Sequence, residues 1–249
     1  MPRADRREAT TAEEVVVGPL AILFDIDGTL ISTGGAGTRS WRWAFEKLHG
    51  ISADIGEFSE AGMTDPTVAR STFRAVVGRE PTARELARLL AACLERLPEE
   101  VERSEQYRVL PGAETLLGRL CEAGCLLGIV TGALEAAAHI KLARARFGRF
   151  FTFGGYGSDS DDRSDLTRRA IERASAIVGQ ELDPASVYAV GDTPNDVEAA
   201  RSVGAVAVGI ASGHYSIDEL RQAGAEIVLH SLEEPMPGLE WAWGPPFAG

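Results

Sequence analysis

Two carboxylates one residue apart follow an apolar run near the start of the chain. Asp25 and Asp27 come directly after residues 20–24, Leu-Ala-Ile-Leu-Phe, and Gly28 follows them. Such a run is typical of a buried strand, at whose end ionised carboxylates are costly unless a cation or a reacting group uses them. Asp and Gly are also common turn residues, so this motif alone leaves a polar turn and a reactive site equally open.

Two motifs further along the chain favour a reactive site. One apolar run ends in Val130-Thr131-Gly132, and another ends in Gly191-Asp192-Thr193-Pro194-Asn195-Asp196. Ligands of open parallel sheets bind outside the carboxyl ends of the strands. If the three runs are parallel strands, we therefore expect their polar ends to meet in one crevice.

Carboxylates gathered in one crevice repel one another without a cation, and hard oxygen ligands of this kind suit Mg²⁺ together with a substrate phosphate. A carboxylate that faces bound phosphate allows covalent catalysis through an aspartyl phosphate. In this hypothesis Asp25 attacks phosphorus. Asp27 protonates the leaving oxygen and then deprotonates the hydrolytic water.

The phosphate itself needs hydrogen-bond donors and space close to the backbone. The Thr131 hydroxyl and the Gly132 N–H are candidate donors, and Gly28 lets the chain turn near the ligand without a Cβ. Thr64 lies in the segment 62–65, Gly-Met-Thr-Asp, in a predicted loop of the kind that carries specificity. Gly28, Thr64, Thr131 and Gly132 are thus the candidate substrate-binding residues.

The elements that must position these residues follow an alternating pattern after residue 109. We predict strands at 20–24, 125–130, 150–153, 187–190, 206–210 and 227–229, with amphipathic helices between the later ones. This predicts an α/β fold with a Rossmann-like, doubly wound parallel sheet. Residues 36–103 contain helix patterns at 38–49, 66–77 and 82–97 but no convincing strand.

An all-helical block between the first and second strands predicts an inserted cap over the strand ends. We therefore expect a discontinuous core domain at 18–33 and 109–235, with a helical cap domain at 34–108. Residues 1–17 are predicted to be a flexible tail, and residues 236–249 a second tail rich in Pro, Gly and Trp.

The three motifs in this order make the sequence resemble the haloacid dehalogenase (HAD) superfamily. Within it, the sequence is similar to the phosphoglycolate-phosphatase-like group, which has a helical cap after the first motif. The resemblance covers roughly residues 20–233 and implies a Mg²⁺-dependent phosphomonoesterase with Asp25 as nucleophile and Asp27 as acid and base. True dehalogenases of the superfamily lack the second Asp, so Asp27 favours phosphate chemistry.

The resemblance also implies the remaining roles. Thr131 would bind phosphate and Asp192 would be a metal ligand. Asp196 would either bind the metal itself or contact a residue that does. The candidate metal ligands are therefore Asp25, Asp27, Asp192 and Asp196.

The sequence departs from the family at the third motif, where a Lys is usual. Here the chain reads Ser-Asp-Asp-Arg-Ser at 160–164, and its only lysines are Lys47 and Lys141. We predict that Arg163 is the catalytic cation beside Asp25, because a guanidinium can bind carboxylate and phosphate bidentately. Lys141 is the alternative, since Arg and Lys are not interchangeable.

Composition narrows the class of protein. The chain has 249 residues, 45% of them hydrophobic, and a formal net charge of −12 without a basic stripe, which argues against a nucleic-acid surface. No signal-peptide core precedes the first strand, and that strand is too short to span a membrane. Three cysteines without metal spacing fit a reducing cytoplasm.

We therefore expect a cytoplasmic phosphatase of a small phosphorylated metabolite, with phosphoglycolate favoured by the resemblance. A sugar-phosphate mutase of the same superfamily is one alternative. A phosphate-binding regulatory protein, catalytically weakened by the missing third-motif Lys, is another. The sequence leaves monomer and homodimer open.

Overall fold

The computed structural model describes residues 20–58 and 60–240. Its strands are β1 (Ala21–Phe24), β2 (Ile31–Ser32), β3 (Arg108–Val109), β4 (Leu126–Thr131), β5 (Phe153–Tyr156), β6 (Val187–Gly191), β7 (Val206–Ile210) and β8 (Ile227–Leu229). Six of them form one parallel sheet in the order β5-β4-β1-β6-β7-β8. The other two, β2 and β3, pair with each other in antiparallel fashion.

The helices are α1 (Ala36–His49), α2 (Asp65–Val77), α3 (Ala83–Arg103), α4 (Ala113–Glu122), α5 (Glu135–Ala143), α6 (Arg163–Val178), α7 (Pro194–Ser202) and α8 (Ile217–Gln222). Helices α4 and α5 pack on one face of the parallel sheet, and α6, α7 and α8 pack on the other. Side chains of β1 alternate between the faces, as a strand requires. Ile22 and Phe24 join a cluster with α4 and α5, whereas Ala21 and Leu23 join a cluster with α6 and α7. The predicted doubly wound α/β fold is confirmed.

The sheet order places the three motif-bearing strands side by side. β1 pairs with β4 on one side and with β6 on the other, so β1 is where the strand order reverses. Ligands of doubly wound sheets bind at such a reversal, outside the carboxyl ends. The residues that follow Phe24, Val130 and Val190 are thereby brought to one edge.

One strand begins at Phe153 instead of the predicted residue 150. Residues Phe147–Phe150 form a turn of 3₁₀ helix, whose Phe147 is fully buried in the core. The strand runs instead through Gly154 and Gly155, which are poor strand formers. A Cβ on Gly155 would lie 1.9 Å from the carbonyl oxygen of Leu166, so close packing of α6 on the sheet requires glycine there.

The helix predicted at 82–97 begins at Ala83 and continues through Pro98 to Arg103. Proline inside a helix removes one backbone hydrogen bond and normally ends or kinks the helix. Here Leu97 and Val101 are buried in a cluster with Ala133 and Ala137 of the segment that follows β4. This packing on both sides of Pro98 accounts for the continuation.

The helices α1, α2 and α3 lie between β2 and β3 and share an apolar cluster of their own. Its largest buried side chains are Trp41, Phe45, Phe73 and Leu89. The antiparallel pairing of Ile31 with Val109 holds the two ends of this segment side by side.

Residues 1–17 lie outside the described residues, as does the part of 236–249 beyond residue 240. Within that second predicted tail, Met236 and Leu239 are buried in the core. Among the described residues, no helix has the length and apolar character needed to cross a bilayer.

Candidate active site

The loop after β1 turns sharply and presents both of its carboxylates to the edge of the sheet. The Asp25 N–H donates to the Val190 carbonyl oxygen (2.9 Å), which extends the ladder, and the side chain of Ile26 is fully buried. The Gly28 N–H then donates to the Ile31 carbonyl oxygen (2.9 Å) and closes the turn. Burial of Ile26 between Asp25 and Asp27 explains the one-residue spacing of the motif.

The predicted residues converge on a cavity of about 410 Å³. Thr131 is the last residue of β4, Asp192 follows β6, and Arg163 is the first residue of α6. The cavity lining includes most of the predicted site: Asp25, Asp27, Gly28, Thr131, Gly132, Arg163, Asp192 and the alternative cation Lys141.

Three carboxylates form a tight group in this site. One oxygen each of Asp25, Asp192 and Asp196 lies within 4.8 Å of the others. Burial raises the pKa of Asp25 to about 7, with the neighbouring Asp196 and Asp27 adding to the effect and Arg163 opposing it. Burial likewise raises the pKa of Asp192 to about 8. The site is therefore short of positive charge and suited to a cation.

Asp27 is not part of this group, although the sequence placed it among the candidate metal ligands. Its carboxylate accepts hydrogen bonds from the Thr33 hydroxyl (3.1 Å) and from the Lys141 ammonium (2.6 Å). Burial opposes charge on Lys141, but Asp27 and Asp65 outweigh it and raise the pKa of Lys141. The Asp27 carboxylate is thus held by its own cation.

Arg163 is the cation beside Asp25. Its Nη2 donates to Asp25 Oδ1 (2.9 Å), and its Nε donates to Asp196 Oδ1 (2.7 Å). Its Nη1 donates to the Gly62 carbonyl oxygen (3.1 Å) in the segment before α2. Burial opposes its charge, but Asp196 and Asp25 outweigh burial and raise the pKa of Arg163. The geometry therefore pairs Arg163 with Asp25 and Lys141 with Asp27.

Asp196 has both carboxylate oxygens engaged. Its Oδ2 accepts from the Thr193 N–H (3.0 Å) and hydroxyl (2.7 Å), a capping box that opens α7. Its Oδ1 accepts from Arg163. Asp192, in contrast, has one described hydrogen bond to its carboxylate, from the Thr29 hydroxyl (3.3 Å). Of these two carboxylates, Asp192 is the more available to a metal.

Thr131 and Gly132 lie where the segment before α2 touches the sheet edge. Thr131 is buried, and its hydroxyl oxygen accepts from the Ala133 N–H (3.3 Å). The Gly132 carbonyl oxygen accepts from the Asp65 N–H (2.8 Å). These contacts fix the loop after β4 at the cavity wall.

Thr64 does not line the cavity with its neighbours. Its side chain is buried at the start of α2, where its hydroxyl is 2.9 Å from that of Thr67. Met63 and Asp65, on either side of it, are the lining residues. The structure therefore places the backbone around Thr64, and not its side chain, near the predicted ligand.

Asp65 is the last residue of the predicted loop 62–65, and the structure gives its side chain contacts that the sequence did not predict. Its Oδ2 accepts from the Leu134 N–H (2.8 Å), and its carboxylate also accepts from the Trp41 side chain. Burial raises the pKa of Asp65, and the nearby Lys141 opposes that effect. An Asp before Pro66 in a first helical turn is an ordinary helix start, so the sequence carried no further signal.

Gly28 is required by close packing on Asp192. It has φ +86°, and a Cβ there would lie 2.1 Å from Asp192 Oδ2. We expect Gly28→Ala to displace the Asp192 carboxylate and to lower kcat/KM by at least about 100-fold, a loss of roughly 2.7 kcal/mol. Steady-state kinetics of the purified variant checks this.

Gly78→Ala is the matched control, because Gly78 has φ +80° but, local backbone aside, no described group lies within 4 Å of the position that a Cβ would take. The Gly78→Ala variant should have the same kind of backbone strain but no collision of the new Cβ with a carboxylate. We therefore expect a modest loss of stability and an unchanged kcat/KM. Equal kinetic losses in both variants would contradict the assignment.

Comparisons with known proteins point to one family. The model of the haloacid dehalogenase-like hydrolase family matches residues 19–204. A phosphoglycolate phosphatase of Salmonella paratyphi A is 23% identical over 236 residues, covering 88% of this chain and 91% of its own.

Two solved structures show the same fold. CbbY from Rhodobacter sphaeroides, in complex with phosphate, superposes with a TM-score of 0.71 at 22% identity, over 90% of this chain and 100% of its own. A beta-phosphoglucomutase from Clostridium difficile superposes with a TM-score of 0.69 at 16% identity, over 91% of this chain and 97% of its own.

Proposed function

This chain belongs to the haloacid dehalogenase-like hydrolases, and we propose that it is a Mg²⁺-dependent phosphatase of small phosphomonoesters that uses Asp25 as nucleophile. The observation that carries the proposal is the pairing of buried Asp25 with Arg163 beside Asp192, in a cavity that also holds Thr131. A buried nucleophile with a fixed cation and nearby phosphate donors suits phosphoryl transfer.

The proposed reaction has two displacements at phosphorus. In the first, an Asp25 oxygen forms a bond to phosphorus, the bond to the alcohol oxygen breaks, and Asp27 gives that oxygen a proton. In the second, Asp27 takes a proton from water as the water oxygen displaces Asp25, which releases phosphate. Thr33 and Lys141 hold Asp27 in one orientation throughout.

The residues present fit Mg²⁺. Asp25 and Asp192 offer hard oxygen donors, and their pKa values are raised first by burial and then by the neighbouring carboxylates, an effect that Arg163 only partly offsets. We propose that these two carboxylates hold the ion, while Asp196 keeps Arg163 in place. The bound cation would reduce the repulsion between Asp25 and the incoming phosphate.

We also propose that residues 34–108 act as a cap on a core formed by 18–33 and 109–235. Two contacts support this: Arg163 donates to the Gly62 carbonyl oxygen, and the Asp65 N–H donates to the Gly132 carbonyl oxygen. Both join the start of α2, or the segment before it, to residues of the proposed active site. Closure over the cavity would exclude water from the first displacement.

Phosphoglycolate is the substrate suggested by the name of the Salmonella relative, and a sugar-phosphate mutase is the second candidate. A panel of phosphorylated metabolites with Mg²⁺ tests both, with free phosphate and isomerised product measured separately. We expect free phosphate. Isomer from a hexose 1-phosphate would favour the mutase, and binding of Mg²⁺ and phosphate without any turnover would favour a regulatory protein.

Metal removal is expected to abolish turnover and to reveal a pH-dependent loss of stability. Because the pKa values of Asp25 and Asp192 are raised on folding, the folded protein keeps protons that the unfolded chain releases above about pH 4. The free energy of unfolding of the metal-free protein should therefore fall as pH rises towards 8 and then level off. With pKa values of about 7 and about 8, the two groups together should give a fall of about 4 kcal/mol from pH 5.5 to 7.5.

Urea unfolding at several pH values, with chelator or with Mg²⁺, measures this effect. With Mg²⁺ both carboxylates stay ionised, so the fall should largely disappear and phosphate release should return. Asp192→Asn removes one of the two groups and should flatten the profile of the metal-free protein. A pH profile identical with chelator and with Mg²⁺ would contradict the proposed metal site.

A further inference from the structure

A second cavity adjoins the proposed active site on the side of Asp27. It has a volume of about 220 Å³ and is lined by α1, α2, α3 and α5. The residues that line both cavities are Asp27, Thr33, Gly35, Asp65 and Lys141. We call this second cavity the apolar chamber, because away from that shared boundary its wall is mostly apolar, with Trp41, Val68, Leu90, Leu94, Leu97 and Leu134.

Among the residues that the structure describes, the chamber offers no unengaged cation to an anionic group. Its charged lining residues are Asp27, Asp65 and Lys141. Lys141 already donates to Asp27 at 2.6 Å and is attracted by Asp65. Arg39 of α1 is not in the wall and donates instead to Glu100 (2.7 Å). A carboxylate in the chamber would therefore meet two carboxylates that share one lysine.

The chamber lies where the leaving group must be. In the reaction proposed above, Asp27 protonates the oxygen that leaves phosphorus, so the alcohol carrying that oxygen lies against Asp27. Asp27 is at the boundary between the two cavities. With phosphate held near Asp25 and Thr131, the chamber is the space next to the leaving oxygen on the side of Asp27.

We propose that the alcohol part of the substrate occupies the apolar chamber and is compact, uncharged and apolar. This inference rests on the proposed phosphatase function and specifies its substrate class: monophosphates of small branched or aromatic alcohols. A sugar would leave several hydroxyl groups unpaired against this wall, which disfavours it. Phosphoglycolate would place its carboxylate beside Asp27 and Asp65.

Isobutyl phosphate and phosphoglycolate are a matched pair for the test, because an isopropyl group replaces a carboxylate of similar shape. We expect kcat/KM to be at least about tenfold higher for isobutyl phosphate. Across methyl, propyl and isobutyl phosphates, kcat/KM should rise by about fourfold for each methylene that enters the chamber. A higher kcat/KM for phosphoglycolate would overturn the inference and leave the phosphatase proposal intact.

A charge placed in the chamber should shift this preference. Leu94→Lys puts an ammonium in the wall and should lower the ratio of isobutyl phosphate to phosphoglycolate activity by at least about tenfold. Ala91→Lys adds the same charge on an exposed position of α3 outside the lining and should leave the ratio unchanged. Equal ratios in both variants would count against the chamber as the leaving-group site.

Arg108 marks an alternative binding site for the leaving group of the substrate. It is exposed on β3 and lines the larger cavity, where it could bind a substrate carboxylate. Suppose that the wild-type protein hydrolyses phosphoglycolate faster than isobutyl phosphate and that Arg108→Ala loses the phosphoglycolate activity. The leaving group then binds beside Arg108, and the inference is wrong.

Binding to the Asp25→Asn protein separates the inference from the proposed function. Calorimetric titration with isobutyl phosphate and phosphoglycolate in Mg²⁺ does not depend on turnover, and we expect isobutyl phosphate to bind at least about tenfold more tightly. Tighter binding of phosphoglycolate overturns the inference. Preferential binding of isobutyl phosphate by a wild-type protein that cleaves neither ester supports the chamber and overturns the phosphatase proposal.

Discussion

Arg163→Ala is expected to abolish measurable phosphate release and to lower the free energy of unfolding by about 3–5 kcal/mol. The substitution leaves Asp25 and Asp196 buried without the guanidinium that donates to both, and it removes the donor to the Gly62 carbonyl oxygen. Removing the cation that neighbours a buried carboxylate strongly lowers the free energy of unfolding, because the remaining charge is buried without compensation. Urea unfolding and steady-state kinetics at saturating Mg²⁺ measure the two effects.

Arg163→Lys distinguishes charge from geometry. A lysine keeps the positive charge but cannot reproduce a planar fork that donates in three directions. We expect it to recover part of the stability while kcat stays at least about tenfold below wild type. Arg168→Ala, on an exposed side chain of the same helix, is the control and should change stability by no more than about 0.5 kcal/mol. Wild-type kcat in Arg163→Ala would refute the role of this residue.

Asp25→Asn is expected to lower kcat by at least about 1,000-fold while the protein stays folded. The amide has nearly the volume of the carboxylate and can still accept from Arg163, but it is a far weaker nucleophile. Loss of one negative charge beside Asp192 and Asp196 should leave the metal-free protein as stable as wild type or more so. Phosphate release and thermal unfolding measure both outcomes.

The control for Asp25→Asn is Asp218→Asn, the same chemical change on an exposed carboxylate of α8. Its kinetics and stability should match the wild type. An Asp25→Asn protein that hydrolyses its best substrate at the wild-type rate would exclude covalent catalysis by Asp25.

The fold and the convergence of the three motifs at one edge of the sheet could be predicted from the sequence, for a simple physical reason. Short apolar runs that end in polar motifs predicted buried parallel strands, and the carboxyl ends of such strands share one edge. β1 does lie between β4 and β6, with Asp25, Thr131 and Asp192 at that edge.

Arg163 was also predictable from its place in the chain, and the structure adds a reason to expect a partner for it. It is the first residue of α6, where the positive end of the helix dipole disfavours a cation. Asp25 and Asp196 offset that cost in the folded protein. A buried arginine in the first turn of a helix, as here, therefore needs carboxylates nearby.

The hydrogen-bond partners of Asp27 could not be predicted from the sequence. Residue spacing places Asp25 and Asp27 around a buried Ile26, but it does not say which of them faces the other carboxylates. That choice depends on Thr33, which directly follows β2, and on Lys141, which meets Asp27 only when α5 packs beside the turn after β1. The partners of Asp65 could not be predicted for the same reason, because they come from α1 and from the loop after β4.

The central claim, an aspartyl phosphate on Asp25, has a direct test. Turnover of the best substrate by wild-type protein and by the slower Asp27→Asn variant is quenched in acid, and the acyl phosphate is reduced with borohydride, which converts the modified aspartate to homoserine. Peptide mapping by mass spectrometry then locates the homoserine. We predict homoserine at position 25, increased in Asp27→Asn and absent from Asp25→Asn. Homoserine at another aspartate, or none at position 25 while phosphate is being released, would contradict the mechanism.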